Sequence, residues 1–362
     1  MNKKALVLGN SYMNLEMKLN RLKRRGNVEF GDRYSFHPYG KSAASAITIA
    51  KMGGNCIFCT KLSDDSNGNR LRDYYTNCNI DLHVGEMTKE YQTGQSITLY
   101  DDTDECTHYV SNGVNVTFTK EDVDEVFSYL PDLFIVPQEE ITFMESKKDE
   151  VVVENNDEQI LNETIQIDRN TPYEPEVVQT EDSRGYKSLV AYACESAIDH
   201  EIGLVVEYNQ FTSSLPLSDY SGIKILVISD EALHDLTGFY MNSNDAIMKS
   251  LSMIKDRINA KHYIVQSGNN MAFVYDGDNY KKIGIPGSMI PDYNSMSKKM
   301  NETFLGAVVA DYMESKNVTR ASVYGVVSSI LTKSRDGVLE HVPTSEEIEQ
   351  FIKSNRIDVS RW

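Results

Sequence analysis

The chain has 362 residues, of which 40% are hydrophobic, and its formal net charge at pH 7 is −18. This length provides one large or two ordinary domains, and the hydrophobic fraction suits a folded core. The negative charge disfavours nucleic acid and anionic membrane surfaces as partners, and no apolar run approaches the roughly 20 residues of a membrane span.

The first predicted strand covers Ala5 to Leu8 and leads into a polar segment, which we interpret as a turn from Gly9 to Leu15. In an open parallel α/β sheet, ligands bind beside the turns that follow the carboxyl ends of the strands. This segment is therefore a candidate for ligand binding.

Three later stretches carry strand patterns that belong together. Val28 to His37 alternates apolar and polar residues, and Gln95 to Tyr100 and Cys106 to Val110 form a second pair joined by an acidic turn. These stretches make either a small separate sheet or an ordinary hairpin on the main sheet.

The segment Pro38-Tyr39-Gly40-Lys41 enters a predicted helix that stops at Gly53-Gly54, a good C-terminal signal. The next strand covers Asn55 to Leu62 and contains a CxxC pair, Cys56 and Cys59. Residues i and i+3 on a strand point to opposite faces, which argues against a metal or redox role. The five cysteines have no framework spacing and favour a reduced, cytoplasmic protein.

Strand and helix patterns alternate along the rest of the chain, except between about residues 144 and 184. This alternation predicts a parallel α/β sheet. Residues 139–184 hold 14 acidic and 4 basic residues, and long structureless loops are uncommon inside compact domains. We interpret the segment from about 144 to 184 as an acidic insertion, either a hairpin excursion or a partly disordered loop.

The stretch from Pro291 to Ala307 begins polar and turn-rich and then takes a helical apolar period. A helix N-terminus offers free backbone N–H groups to an anion, and a carboxylate there can serve as a general base. Glu302 is such a carboxylate. The alternative is that Glu302 only complements the helix dipole and Asn301 only caps the helix.

Glu302-Thr303-Phe304-Leu305-Gly306-Ala307 resembles the end of the GAGDTFxGA signature of the ribokinase-like (PfkB) carbohydrate kinases. The segment from Pro38 to Ala46 resembles the PGGKGANxA motif of the same family, and Gln266 to Ala272 resembles its TLGxxGA loop. Matches in this order cover nearly the whole chain outside about 144–184.

The resemblance implies one domain over residues 1–362, folded as a three-layer α/β/α sandwich with a mostly parallel central sheet and a small β lid. The lid strands are expected at about 28–37 and 94–112. In this family the lid often serves as a dimer interface, so the resemblance also implies a homodimer.

The activity that the resemblance implies is phosphoryl transfer from ATP, with Mg²⁺, to a hydroxyl of a sugar or nucleoside. Glu302 stands at the position of the catalytic base. The implied substrate-binding residues are Asn14, Gly40 and Lys41. The implied nucleotide- and phosphate-binding residues are Gly268, Lys299, Asn301 and Glu231. No residue is assigned as a metal ligand.

The chain departs from the family pattern at several of these positions. Lys299, Met300 and Asn301 stand in place of the Gly-Ala-Gly anion hole, Ala44 replaces the sugar-binding Asn, and Asn14 replaces an Asp. Two hypotheses follow. The first is a small-molecule kinase with an altered active site, and the second is a non-catalytic sensor or scaffold with the same fold.

Overall fold

The computed structural model describes residues 3–19, 28, 30–85, 87–101, 106–139, 141, 188–240, 243–268, 270–276, 279–290, 302–335, 339 and 342–357. The predicted Asn301 and Lys299 sites and the acidic segment at about 144–184 lie outside these residues. None of the helices in the described ranges combines the length and hydropathy that a membrane span requires.

The chain alternates strands and helices, as its pattern predicts. The strands are β1 Lys4–Leu8, β2 Tyr12–Leu19, β3 Gly31–Tyr39, β4 Asn55–Cys59, β5 Asp81–His83, β6 Gln95–Tyr100, β7 Cys106–Ser111, β8 Leu133–Ile135, β9 Gly203–Tyr208, β10 Ile223–Ser229, β11 Ala260–Ser267, β12 Met271–Tyr275 and β13 Tyr280–Gly284. The helices are α1 Lys41–Lys51, α2 Ser66–Asn77, α3 Lys120–Phe127, α4 Leu189–Asp199, α5 Asp230–Thr237, α6 Asn244–Lys255, α7 Glu302–Ser315, α8 Val318–Lys333 and α9 Ser345–Ser354.

A nine-stranded sheet with the order β13-β12-β11-β10-β9-β8-β1-β4-β5 forms the centre of the molecule. All neighbouring strands pair in parallel except at the β11–β12–β13 edge, where the pairing is antiparallel. Helices cover both faces, since one apolar cluster joins the sheet to α1, α7, α8 and α9 and a second joins it to α3, α4 and α6. The predicted three-layer fold is confirmed.

The two core clusters follow from the alternation of side chains along the buried strands. Cys56 belongs to the first cluster and Cys59 to the second, so the CxxC pair is split between the two faces of the sheet. Both thiols are buried, and burial raises the pKa of each. The pair is part of the core, as its position on a strand predicts.

Four strands outside the main sheet form the lid, with the order β3-β2-β6-β7. Our prediction omitted β2 because the segment after β1 looked like a turn. Asn14 is a strand residue, and β2 pairs antiparallel with β3 and parallel with β6. The missed signal is period-2 alternation, in which Met13, Leu15 and Met17 face away from Asn14 and Glu16.

The acidic segment interrupts the chain between β8 and α4. We propose that it is an insertion and predict that deleting roughly residues 146–183 leaves a folded protein, because long surface loops add little closure entropy. The helix after it starts independently, since the Ser188 hydroxyl accepts the Ala191 N–H at 3.1 Å. Cooperative urea unfolding of the deleted protein is the measurement, and loss of cooperative unfolding would place the segment in the core.

Candidate functional site

The N-terminus of α1 lies against the carboxyl end of β1. A Cβ built on Gly9 would come within 2.0 Å of the Ser42 hydroxyl oxygen, so only glycine permits this approach. Gly40 has φ +130, a conformation that L side chains rarely adopt, and a Cβ there would lie 2.8 Å from the carbonyl oxygen of Asn10. Gly40 therefore fixes the turn that presents Lys41 as the first residue of the helix.

Helices α1 and α7 run in parallel, and Gly306 is the point of closest approach. A Cβ on Gly306 would lie 2.6 Å from Cβ of Thr48 and 2.8 Å from the carbonyl oxygen of Ser45. Further along, Gly54 lies beside Met313. Since Ser45 is four residues into α1 and Gly306 is four residues beyond Glu302, the N-termini of both helices lie at the same end of the molecule.

This arrangement brings the two main motifs together. The backbone of Glu302 begins α7, and Gly40 with Lys41 begins α1. Helix N-termini present free N–H groups and the positive end of the dipole. Two such ends beside the carboxyl edge of β1 make a setting suited to an anionic group.

The lid is tied to the main sheet by a clamp at Ser11, where β1 passes into β2. The side-chain amide of Asn115 accepts the Ser11 N–H at 3.3 Å and donates to the Ser11 carbonyl at 2.9 Å. The Ser11 hydroxyl lies 2.5 Å from the hydroxyl of Tyr75. These bonds fix the start of β2 and hence the position of Asn14.

Asn14 lies at the centre of a buried polar network on the inner face of the lid. Its Oδ1 accepts the hydroxyls of Ser96 at 2.8 Å and Thr98 at 3.1 Å, and its Nδ2 lies 3.3 Å from Nε2 of His37. Asn14 is 1% exposed. Most of its hydrogen-bonding capacity is thus satisfied by neighbouring lid strands.

Glu16 extends this network by one position along β2. Its Oε2 lies 3.2 Å from Nε2 of His37. Removal from water disfavours the carboxylate and raises the pKa of Glu16 to about 7. At neutral pH, Glu16 is therefore divided between its protonated and ionised forms.

The raised pKa of Glu16 predicts that the folded protein loses stability as pH rises from about 4.5 to about 7. The native state holds a proton in this range that the unfolded chain releases, so the free energy of unfolding falls with pH. We expect Glu16→Gln to be more stable than the parent at pH 8. Urea unfolding at pH 5 and pH 8 measures the difference, and equal pH slopes for the two proteins would contradict it.

More polar groups follow the carboxyl ends of the central strands. Burial, followed by the nearby Glu139 carboxylate, raises the pKa of the Tyr12 hydroxyl, and a hydrogen bond with Asn10 opposes this. Gln138, which follows β8, donates from its side-chain amide to Glu207 at the end of β9. The carboxyl ends of β1, β8 and β9 are therefore followed by amides and carboxylates.

Gly268 follows β11 with φ +59, and nothing lies within 4 Å of a Cβ built there. Its neighbour Ser267 donates to Oδ2 of Asp230 at 3.1 Å, which links the ends of β11 and β10. Glu231 is exposed, one residue into α5. Asp230, rather than Glu231, is the carboxylate connected to this loop.

Mg²⁺ bound with nucleotide phosphates needs only one or two protein carboxylates. Asp230 and Glu231 are carboxylates on the Gly268 side of the sheet, and their chemistry fits this role. The described residues contain no cluster of three or more His, Cys, Asp or Glu that could hold a metal alone.

The predicted site residues thus fall into groups. Gly40, Lys41 and Asn14 lie where β1, α1 and the lid meet, and the start of α7 lies beside α1. Gly268 and Glu231 lie further along the same edge, at β11 and β10. Of Glu302 the structure describes only the backbone, and Lys299 and Asn301 lie outside the described residues.

Sequence reasoning missed several polar residues of this site. His37, Glu16 and Asp230 each contact a predicted position or its neighbour. His37 and Glu16 were recognisable only as the inward positions of alternating strands. Asn115 fixes Ser11, which lies 104 positions away along the chain, so no local pattern connects the two residues.

Comparisons with known proteins bear on this geometry. The profile of the pfkB family carbohydrate kinases matches residues 2–194. A bifunctional ribokinase/ribose-5-phosphate isomerase A from Fructilactobacillus sanfranciscensis is 20% identical over 360 residues, which cover 98% of this chain. This chain spans 57% of that relative's length.

Two solved structures share the fold over nearly their whole length. Ribokinase from Giardia lamblia has a TM-score of 0.72 at 13% identity, covering 98% of this chain and 99% of that one. Arabidopsis thaliana ribokinase, complexed with ribose and ATP, has a TM-score of 0.68 at 14% identity with the same coverage. At these identities the likeness shows the fold alone.

Proposed function

Because this chain belongs to the pfkB family of carbohydrate kinases, we propose that it transfers a phosphoryl group from ATP to a hydroxyl of a sugar or nucleoside. The observation that carries the proposal is the convergence of the N-termini of α1 and α7 beside the carboxyl edge of β1. Phosphoryl transfer depends mainly on positioning and on electrostatic stabilisation of the phosphate oxygens.

In this proposal the chain's residues take separate roles. Glu302 accepts the proton of the acceptor hydroxyl as the hydroxyl oxygen attacks the γ-phosphorus. The bond between the γ-phosphorus and the β–γ bridging oxygen breaks, and ADP leaves with that oxygen. Lys41 and the first N–H groups of α1 and α7 face the transferred phosphate, and Lys299 and Asn301 contribute side-chain donors in place of backbone N–H groups. ATP lies along the Gly268 edge. Mg²⁺, held with the phosphates near Asp230 and Glu231, would neutralise phosphate charge when bound.

Thermal unfolding tests ligand binding without a known substrate. A ligand that binds only the native state stabilises it by an amount that grows with its concentration over Kd. We expect ATP with Mg²⁺ and at least one of a panel of sugars and nucleosides to raise Tm. A panel that leaves Tm unchanged, ATP included, would contradict the proposal.

The second candidate function is a non-catalytic sensor or scaffold. The specific observation that favours it is that Oδ1 of Asn14 already accepts hydrogen bonds from the hydroxyls of Ser96 and Thr98. A side chain whose acceptor lone pairs are used within the lid offers less to a sugar than a free carboxylate would. A sugar or nucleoside that raises Tm without any ADP formation would favour this second function.

We also propose a homodimer formed by the outer face of the lid. Tyr34, Phe36 and Tyr109 are 68%, 41% and 58% exposed there, and the half-buried Ile97 and Leu99 continue the apolar surface. A patch of this kind marks an interface more often than a solvated surface. Sedimentation velocity at micromolar concentration should give a dimer, and Tyr109→Glu should give a monomer. A monomeric parent would contradict the proposal.

A further inference from the structure

The inner face of the lid is concave, because side chains of its two edge strands meet across it. In a flat sheet of the order β3-β2-β6-β7, Tyr39 and His108 would lie three strand spacings and four residues of register apart, which is roughly 20 Å between their Cα atoms. The ring of Tyr39 on β3 nevertheless stacks on His108 of β7, with centroids 6.1 Å apart and planes inclined by 20°. The sheet therefore curls around the polar network.

The strand register places Tyr39 on the same face of the lid as Asn14, one row nearer the main sheet. Tyr39 pairs with Tyr12 in the row nearest the main sheet, and their rings lie 6.4 Å apart. His108 pairs with Thr98 in a row beyond Asn14, on the opposite edge strand. A ring that contacts both Tyr12 and His108 crosses the intervening row, which Asn14 occupies. Asn14 itself is 1% exposed.

Tyr39 also lies, along the chain, between the two groups of residues that are expected to surround the acceptor. It directly precedes Gly40 and Lys41, and it follows His37, the neighbour of Asn14, by two residues on the same face. The stacking partner of Tyr39, His108, is itself joined to the polar network around Asn14. Oγ1 of Thr98 lies 3.0 Å from Nδ1 of His108 and 3.1 Å from Oδ1 of Asn14. A group that approaches Asn14 from α1 meets the Tyr39 ring first.

We propose that Tyr39 is a specificity-determining gate of the acceptor site, whose ring has to leave His108 before any acceptor reaches Asn14, the substrate-binding position that the family resemblance implies. This inference rests on the proposed function for the identity of the ligand, a sugar or nucleoside. The acceptors admitted are those whose contacts with the lid outweigh the contacts that hold the Tyr39 ring in place, which include its stacking on His108 and its contact with Tyr12.

Access to the gate is testable without any ligand. Diethyl pyrocarbonate modifies accessible imidazole rings, and His37, which contacts Asn14, is only 5% exposed. We expect Tyr39→Ala to increase the labelling rate of His37, located by mass spectrometry, several-fold. Tyr34→Ala is the matched control, since Tyr34 lies on the same strand but on the outer face, and it should leave the rate unchanged. An unchanged rate in a folded Tyr39→Ala protein would overturn the gate.

Acceptor binding provides the second arm, with D-ribose and adenosine as probes in calorimetry. The loss of one aromatic pair should tighten binding of an admitted probe by about two- to tenfold in Tyr39→Ala. His108→Ala should have a similar effect, and the double variant should add little, because both changes remove the same stack. If Tyr39→Ala increased the labelling rate of His37 but did not tighten acceptor binding, Tyr39 would serve only in packing, and its role in specificity would be overturned. Absence of Mg·ATP binding in every variant would instead contradict the proposed function.

Discussion

Replacement of Glu302 by Gln is expected to lower turnover by about 10²–10⁴-fold, the usual contribution of a positioned general base. The amide keeps the size of the side chain but cannot take a proton from the acceptor hydroxyl. Binding of ATP and of the acceptor should change little, because Glu302 acts in the transition state. Initial rates of ADP formation and calorimetric affinities measure the two quantities separately.

Glu302→Asp is the matched variant, since it shortens the side chain by one methylene and keeps the charge. A shift of roughly 1 Å in a reacting group can change a rate by about a hundredfold. We expect Glu302→Asp to retain the pH dependence of the parent, with turnover well above that of Glu302→Gln. If the Gln variant kept full turnover, Glu302 would be a dipole-complementing residue, and the base would lie elsewhere.

Gly306→Val is expected to destabilise the protein by at least about 3 kcal/mol, the upper part of the range for an overpacked core. The Cβ position of Gly306 is blocked by Cβ of Thr48 and by the backbone carbonyl of Ser45. Backbone cannot move aside as the end of a flexible side chain can. Helices α1 and α7 would have to separate, which would also displace the two N-termini at the candidate site.

The control for this substitution is Gly287→Val, because nothing lies within 4 Å of a Cβ built on Gly287. We expect its free energy of unfolding, from urea titration, to stay close to that of the parent. Gly306→Ala should be intermediate, since higher helix propensity offsets part of the steric cost. A Gly306→Val protein as stable as the parent would show that the two helices can part at little cost.

The layers of the fold were predictable because they depend on local patterns. Buried strands carry short apolar runs, such as residues 225–228 of β10, and helix starts carry their own caps, as at Thr344 with Glu347. Strand β2 was missed because Gly9, Asn10 and Ser11 resemble a turn, although the alternation from Tyr12 to Leu19 is regular. The polar residues 9–11 indicated a turn, the alternation after them indicated a strand, and the chain forms the strand.

The site was less predictable because its contacts join distant positions. The sequence places Asn14 near a ligand but does not reveal that Ser96 and Thr98, more than 80 positions away, occupy its Oδ1. Tyr39 was visible only as a residue beside Gly40. The proposed role of Tyr39 depends on its ring contact with His108, which joins the two edge strands of the lid and which no local pattern reveals.

Phosphoryl transfer itself is the most direct test of the proposed kinase function. Purified protein with Mg·ATP should form ADP and a phosphorylated product only when an acceptor from a panel of sugars and nucleosides is present, and Glu302→Gln should abolish most of this formation. Acceptor-dependent product, identified by mass spectrometry, is the result predicted. No product with any acceptor, together with no binding of Mg·ATP by calorimetry, would contradict the kinase assignment.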